Sequence, residues 1–259
     1  MSNIRTQQKI SLECHWSLKD AIKVFIAYLV FTFAGMPIFV RFLQTIFDFE
    51  VHIDSPSFRT MILFVSLLVN LIICLYICYI VRFEYRQSIV NLGLTLVNLP
   101  GNIKTGLIRY VITIPIIMLA GFIVNAVASY YGITPDMQDV VQWVLDEDSV
   151  MVLACLIFFG IIVAPTMEEI IFRGFLVPAL KNYFGVRYAI FISAAVFAAI
   201  HMDAFAFLQI FILGILLGYL YEKTQSLATS IVVHILHNSL TLAFLMYFKF
   251  FLDGKMPVF

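Results

Sequence analysis

Acidic, basic and imidazole side chains interrupt stretches of the sequence that are otherwise apolar. Two adjacent carboxylates and a guanidinium occur in PTMEEIIFRG, residues 165–174, between the apolar runs LACLIFFGIIVA and FLVPAL. Ionisable groups inside membrane spans are costly and usually mark function. The groups in apolar segments are Arg41, Glu168, Glu169, Arg173, His201, His234 and His237. Nearly all of them come from the C-terminal part of the chain, which indicates a functional site there.

The spacing of these residues predicts which side chains share a helix face. Glu169 and Arg173 are four residues apart, so on a helix they can form an ion pair. Glu168 is rotated about 100° from Glu169 and is free for another partner. His234 and Asn238 are also four residues apart and share a face. A buried brace, in which both carboxylates share Arg173, is the simpler interpretation of the first motif.

Counting from the predicted turns places three of these groups at a similar depth. Glu168 lies 17 residues before Gly185, and His201 lies 16 residues after it. At ~1.5 Å per residue, both are about 25 Å from that turn on antiparallel helices. His234 is about 9 residues past a second turn near Gln225, or roughly 14 Å from it. The depths agree only if the helix end at residues 175–186 protrudes about 10 Å into the cytoplasm.

A carboxylate, two imidazoles and a carboxamide in one water-poor cavity can hydrolyse a peptide bond. Glu168 can act as a general base, with His201 sharing the water that it activates. His234 and Asn238 can donate hydrogen bonds to the developing oxyanion. Alternatively, Glu168, His201 and His234 can bind a divalent metal such as zinc, because two histidines and one glutamate form a known catalytic zinc site. The residue types leave the metal-dependent and metal-free mechanisms equally open.

The composition indicates that lipid surrounds most of the chain. Of 259 residues, 62% are hydrophobic and 12% are charged, against roughly 45–50% and 25% in soluble domains. Segments long and apolar enough to span a membrane cover residues 21–46, 60–82, 107–130, 149–180, 187–202, 204–222 and 226–251. The first can be read as two helices broken near Gly35 and Pro37. The expected fold is an all-α, polytopic membrane helix bundle of about seven or eight transmembrane helices.

The distribution of charge along the chain predicts its topology. No repeat or linker divides the sequence, so residues 1–259 are expected to form one integral membrane domain. Basic residues favour the cytoplasmic side, and the N-terminal segment carries Arg5, Lys9, Lys19 and Lys23, whereas residues 131–148 contain no Lys or Arg. The N-terminus is therefore expected in the cytoplasm. The net charge of zero implies no nucleic-acid partner.

Three motifs resemble those of the CAAX-protease and bacteriocin-processing family of intramembrane proteases, also called the Abi family. PTMEEIIFRG, FAAIH and HILHN match EExxxR, FxxxH and HxxxN in the expected order. The resemblance covers roughly residues 145–245. It implies a catalytic core in residues 146–250 and variable N-terminal spans in residues 1–145. It also implies that Glu168 and His201 activate water, His234 and Asn238 form the oxyanion site, and Glu169 and Arg173 support them.

By this resemblance, the expected function is an intramembrane endopeptidase. Its substrate would be a peptide, or a prenylated or otherwise membrane-anchored protein, near the cytoplasmic face of a bacterial plasma membrane. The family has been described both as metalloproteases and as metal-free glutamate proteases. It also includes non-catalytic scaffolds and bacteriocin-immunity proteins, so such a role is an alternative. A proton-coupled transporter is a further alternative, because intramembrane glutamates and histidines also relay protons, although no repeat halves are detectable.

Overall fold

The structure is a computed structural model that describes residues 16–47, 56–133 and 139–251. Every regular element in these ranges is a helix, which confirms the expected all-α class. Arg5 and Lys9, on which the expected orientation partly rests, lie outside the described residues. The α-helices are α1 (Leu18–Val30), α2 (Met36–Phe47), α3 (Pro56–Tyr79), α4 (Leu99–Tyr130), α5 (Asp139–Asp146), α6 (Val150–Phe158), α7 (Ala164–Glu169), α8 (Val177–Ala199), α9 (Phe207–Thr224) and α10 (Leu227–Phe251).

Short π-helical turns interrupt or end several of these helices. Phe31–Gly35 joins α1 to α2, Ile80–Glu84 ends α3, and Phe159–Val163 and Ile170–Leu176 flank α7. A π turn inserts an extra residue into the helical hydrogen-bond ladder, and such turns occur frequently at functional sites. The two around α7 lie immediately before and within the PTMEEIIFRG motif.

Within the described ranges, five helical segments are long and apolar enough to cross a membrane, or six if α1 and α2 form one bent span. The bend between Leu18–Gly35 and Pro37–Ile46 is 41°, in agreement with the break expected near Gly35 and Pro37. The longest segment, Val150–Ala199, has 50 residues. It contains two of the spans that the sequence predicts.

The chain reverses direction at Gly185, within Val150–Ala199. Gly185 has φ 75° and ψ 166°, a combination that is essentially confined to glycine. The rings of Phe172 and Phe197, on opposite sides of Gly185 in the sequence, are 5.2 Å apart. In one continuous helix these two residues would be separated by about 37 Å. Val150–Ala199 is therefore a helical hairpin, as the predicted turn near Gly185 requires, and its two arms account for two of the expected spans.

The connection between α3 and α4 differs from the expectation. α4 begins at Leu99 and not at the predicted residue 107. Pro100 suits the first turn of a helix, because its missing N–H has no helical partner there. The residues before α4 are tied to the turn between α9 and α10, where the Leu227 N–H donates to Gly93 O at 2.8 Å. This connection therefore helps to fix the start of α10.

The apolar core surrounds the helical hairpin. Phe172, Phe175 and Phe197 are almost completely buried. Trp16 stacks on Phe175 with ring centroids 5.3 Å apart, and its indole N–H donates to the Phe175 carbonyl at 2.8 Å. The outer faces of the helices carry many exposed large apolar side chains, as expected of helices in contact with lipid. The segment that carries the EExxxR motif is thus held from several sides.

Replacing Gly185 with alanine is expected to lower the free energy of unfolding by about 1–3 kcal/mol, because a non-glycine residue is strained at this φ and ψ. A Cβ at Gly185 would meet no atom within 4 Å, so the loss comes from the backbone and not from a clash. Gly160→Ala is the matched control, since its Cβ also meets no atom within 4 Å and its φ is not positive. Chemical unfolding in detergent micelles measures both variants. Wild-type stability of Gly185→Ala would contradict the proposed strain.

Candidate active site

Glu169 is buried and accepts two hydrogen bonds through a single oxygen. Arg173 Nη1 donates to Glu169 Oε1 at 2.8 Å, and His234 Nδ1 lies 2.9 Å from the same oxygen. The side chains of all three residues are at most 3% exposed. The ion pair predicted from the i,i+4 spacing is confirmed. The third member, His234, comes from α10 and was not predicted as a partner of Glu169.

The bond to Glu169 fixes the orientation of the His234 imidazole. An ionised carboxylate only accepts hydrogen bonds, so Nδ1 carries the hydrogen and Nε2 points away from Glu169. His234 Nε2 lies 3.8 Å from Glu168 Oε2. The second amino group of Arg173 donates to Gly214 O at 3.2 Å, and the described ion pairs do not include one between Glu168 and Arg173. Glu168 therefore points away from Arg173 and towards His234, as its rotation on the helix predicted, and the shared brace is not formed.

Phe197 orients the polar groups from inside the hairpin. Its ring makes edge-to-face contacts with His201 and His234, with centroids 4.9 and 5.7 Å apart. Arg173 Cζ lies 4.4 Å from the centroid of the same ring, within the range of a cation–π interaction. Phe197 is completely buried. One aromatic ring therefore contacts a guanidinium and two imidazoles from three different helical segments.

His201 follows α8 and lies one helical turn after Phe197. Its Nδ1 is 2.7 Å from the Phe197 carbonyl oxygen, so Nδ1 carries the hydrogen and Nε2 is left for another partner. His201 is exposed, whereas His234 is buried. Both imidazoles thus use Nδ1 to bond to the protein. Their shared contacts with Phe197 agree with the similar depth predicted for His201 and His234.

Asn238 lies one turn after His234 and bonds to the chain segment before α7. Its Nδ2 donates to Gly160 O at 2.8 Å. An amide nitrogen carries two hydrogens, so a second N–H is present for another acceptor. His237 points instead towards α4, where Tyr110 Oη lies 3.1 Å from His237 Nδ1. His237 therefore packs against α4 and does not share the contacts of His234.

The arrangement of the side-chain donors bears on the predicted metal site. In the part of the chain that the structure describes, no group of three or more His, Cys, Asp and Glu side chains is arranged to hold a metal ion. Glu168 and His234 approach to 3.8 Å, but His201 does not complete a set of three with them. The ligand set of Glu168, His201 and His234 therefore stays a prediction.

The sequence does not by itself reveal the contacts of Phe197 and Gly160, although weak signals for both are present. Phe197 is four residues before His201, so on a helix it shares a face with that histidine. Gly160 is five residues before Pro165, which has no N–H to donate to a preceding carbonyl. Neither signal reveals which distant side chain makes the contact.

Comparison with known proteins identifies the class of the region that carries the site. Residues 150–240 match the type II CAAX prenyl endopeptidase Rce1-like family. The chain is also similar to the "Putative membrane peptidase YdiL" of Bacillus subtilis (strain 168), with 29% identity over 92 residues. No solved structure gives a significant match. The region with the three motifs is thus similar to a family of CAAX prenyl endopeptidases, which confirms the resemblance for that region.

The similarity extends over part of each protein. The alignment with the Bacillus subtilis relative covers 36% of this chain and 38% of the relative, so less than half of either is matched. The matched residues 150–240 lie inside the core predicted for residues 146–250. The N-terminal helices α1 to α4 lie outside the matched region, although α1 packs against the same core.

Replacing Arg173 with methionine is expected to lower the free energy of unfolding by about 3–5 kcal/mol, because the Glu169 charge is then buried without its partner. Lys181→Met is the matched control. Lys181 pairs with Glu222 at 2.7 Å, but its side chain is 32% exposed, so the expected loss is about 1 kcal/mol or less. Chemical unfolding in detergent micelles measures both losses. Equal losses would show that burial does not make the Glu169–Arg173 pair more important for stability than a partly exposed pair.

Proposed function

We propose that the protein is an intramembrane endopeptidase that hydrolyses a peptide bond of a membrane-anchored protein or peptide. The observation that carries the proposal is the grouping of His201 and His234 around the Phe197 ring, with Glu168 beside His234. The match of residues 150–240 to a CAAX prenyl endopeptidase family supports the reaction class.

Glu168 is the proposed general base. Its side chain is 18% exposed, whereas the Glu169 side chain is completely buried, so Glu168 is the carboxylate that a water molecule can reach. A base must lie about 2.6–3.2 Å from the group whose proton it takes. The 3.8 Å separation between Glu168 Oε2 and His234 Nε2 leaves the carboxylate without a short bond to that ring. His201 Nε2 is the second acceptor for the attacking water.

In the proposed reaction, Glu168 takes a proton from water and later returns it to the leaving group. As the water oxygen bonds to the carbonyl carbon of the substrate, one water proton moves to the Glu168 carboxylate, and the carbonyl oxygen becomes an oxyanion. When the oxyanion collapses, the carbon–nitrogen bond breaks, and the proton passes from Glu168 to the leaving nitrogen. The products are a carboxylic acid and an amine, and Glu168 returns to its ionised form.

His234 and Asn238 are the proposed donors to the oxyanion. Asn238 has a second amide hydrogen besides the one that bonds to Gly160. His234 donates from Nε2 when the ring carries a second proton, since Nδ1 is already bonded to Glu169. Donors held in place before the reaction need no reorganisation as charge develops, and one such donor contributes about 10²–10³-fold in rate. Glu169 and Arg173 support the site by holding His234.

The proposed substrate is a protein or peptide held at the membrane, including a prenylated protein. The matched family is named for prenyl endopeptidases, and the helices that carry the site are long and apolar enough to span a bilayer. The proposed location is a bacterial plasma membrane, with the N-terminus in the cytoplasm. The source of the similar peptidase, Bacillus subtilis, supports the first part, and the Lys and Arg distribution supports the second.

Substitutions of the proposed catalytic residues are expected to abolish most of the cleavage. Glu168→Gln, His201→Ala and His234→Ala should each lower kcat by about 10²–10⁴-fold, the usual loss of an acid–base group. Asn238→Ala should lower kcat by about 10²–10³-fold. Purified variants in proteoliposomes are compared for cleavage of a library of membrane-anchored peptides, with products detected by mass spectrometry.

His237→Ala is the matched control for these substitutions. It removes an imidazole from the same helix, but one that contacts Tyr110 on α4, so most of the activity should remain. Cleavage by Glu168→Gln at the wild-type rate would rule out the proposed mechanism. A wild-type protein that cleaves no member of the library would count against the peptidase proposal itself.

Metal dependence is tested separately. Cleavage that survives dialysis against a chelator, in protein in which elemental analysis finds no stoichiometric transition metal, would establish the metal-free mechanism. The opposite result would be a bound metal that is required for cleavage and is lost from Glu168→Gln or His201→Ala. That result would establish the metal-dependent mechanism in place of the metal-free one.

A further inference from the structure

The π turn before α7 displaces the backbone hydrogen bonds next to Pro165. The Ala164 N–H donates to the carbonyl of Phe159, five residues back, whereas in an α-helix it would donate to Gly160, four residues back. In a π-helix, each N–H donates to the carbonyl five residues back. The donor to Gly160 O would therefore be the N–H of residue 165. This residue is proline, which has no N–H. The helix therefore supplies no donor to the Gly160 carbonyl in this register.

Asn238 supplies the donor that the helix lacks. Its Nδ2 donates to Gly160 O at 2.8 Å. A carbonyl oxygen only accepts, so the amide nitrogen of Asn238, and not its oxygen, must face Gly160. Buried carbonyl groups are almost always paired, and Gly160 is only partly exposed. The contact thus satisfies a backbone carbonyl and also determines which way the Asn238 amide points.

Both the π turn and the proline are needed to leave this particular carbonyl without a helical donor. In an uninterrupted α-helix, the carbonyl that lacks an N–H donor because of Pro165 would be that of Ile161, four residues back. Ile161 lies about 100° around the helix from Gly160, so its carbonyl would point in another direction. The π turn at Phe159–Val163 moves the unpaired carbonyl back by one residue, to Gly160.

We propose that Pro165 is a positioning residue for Asn238. Its missing N–H keeps Gly160 O available to hold one hydrogen of the Asn238 amide, and the second hydrogen is thereby directed to the oxyanion. This inference rests on the proposed peptidase function, in which Asn238 is an oxyanion donor. Pro165 itself contacts no reacting atom in this scheme. An N–H at position 165 would compete for the Gly160 carbonyl and release the amide to rotate.

Pro165→Ala tests the proposal by adding that N–H. We expect kcat for a membrane-anchored peptide to fall about 10-fold, the effect of one lost hydrogen bond, while KM is unchanged. In an Asn238→Ala background, the same substitution should cause no further loss of kcat, because the two residues act through one contact. An unchanged kcat for Pro165→Ala, or an equal loss in the Asn238→Ala background, would overturn the proposal.

Pro115→Ala is the matched control. Pro115 lies inside α4 and is exposed, so the substitution adds an N–H to a membrane-spanning helix outside the site. Its kcat should equal that of the wild type. A loss of kcat in this variant equal to that of Pro165→Ala would mean that any added N–H in a spanning helix has the same effect, which would also overturn the proposal.

An NMR measurement tests this inference independently of peptide cleavage. In protein labelled with ¹⁵N-asparagine, the side-chain amide signal of Asn238 is identified by its loss in Asn238→Ala. The N–H that donates to Gly160 should show a downfield proton shift in the wild type, and Pro165→Ala should lose it. A downfield shift that persists in Pro165→Ala would contradict the positioning role, even for a protein that cleaves none of the peptides tested.

Discussion

A charged carboxylate buried among apolar helices is the constraint on which the rest of the site depends. Removing an ion from water costs several kcal/mol, and this is offset only when partners with good geometry surround it. Glu169 has two such partners, Arg173 and His234, which both bond to Oε1. Arg173 comes from the same segment, and His234 comes from α10. Satisfying one charge therefore also fixes how the motif segment packs against α10.

That packing determines where the proposed catalytic groups point. With Nδ1 of His234 bonded to Glu169, Nε2 faces Glu168. The rotation of α10 that presents His234 also brings Asn238, one turn further on, to the segment before α7. Phe197 completes the arrangement from the second arm of the hairpin through its contacts with both histidines. Stability and the proposed chemistry therefore depend on the same contacts.

The residue spacing predicted the contacts and side-chain directions that arise within a single helix. The Glu169–Arg173 pair and the separate direction of Glu168 follow from the helical repeat, and the hairpin follows from the two predicted spans that meet near Gly185. The bond between Glu169 and His234, 65 residues apart, depends instead on how two helices are rotated against each other. The π turns around α7 change that rotation by adding a residue to the ladder. Apolar periodicity carries no signal for such turns.

The coupling free energy between Glu169 and Arg173 tests the central claim most directly. It is obtained from the unfolding free energies of the wild type, Glu169→Gln, Arg173→Met and the double variant. If the buried charge organises the site, the double variant is far more stable than the sum of the single losses implies, with a coupling of about 2–3 kcal/mol. Losses that simply add would contradict the account, because the two side chains would then contribute independently.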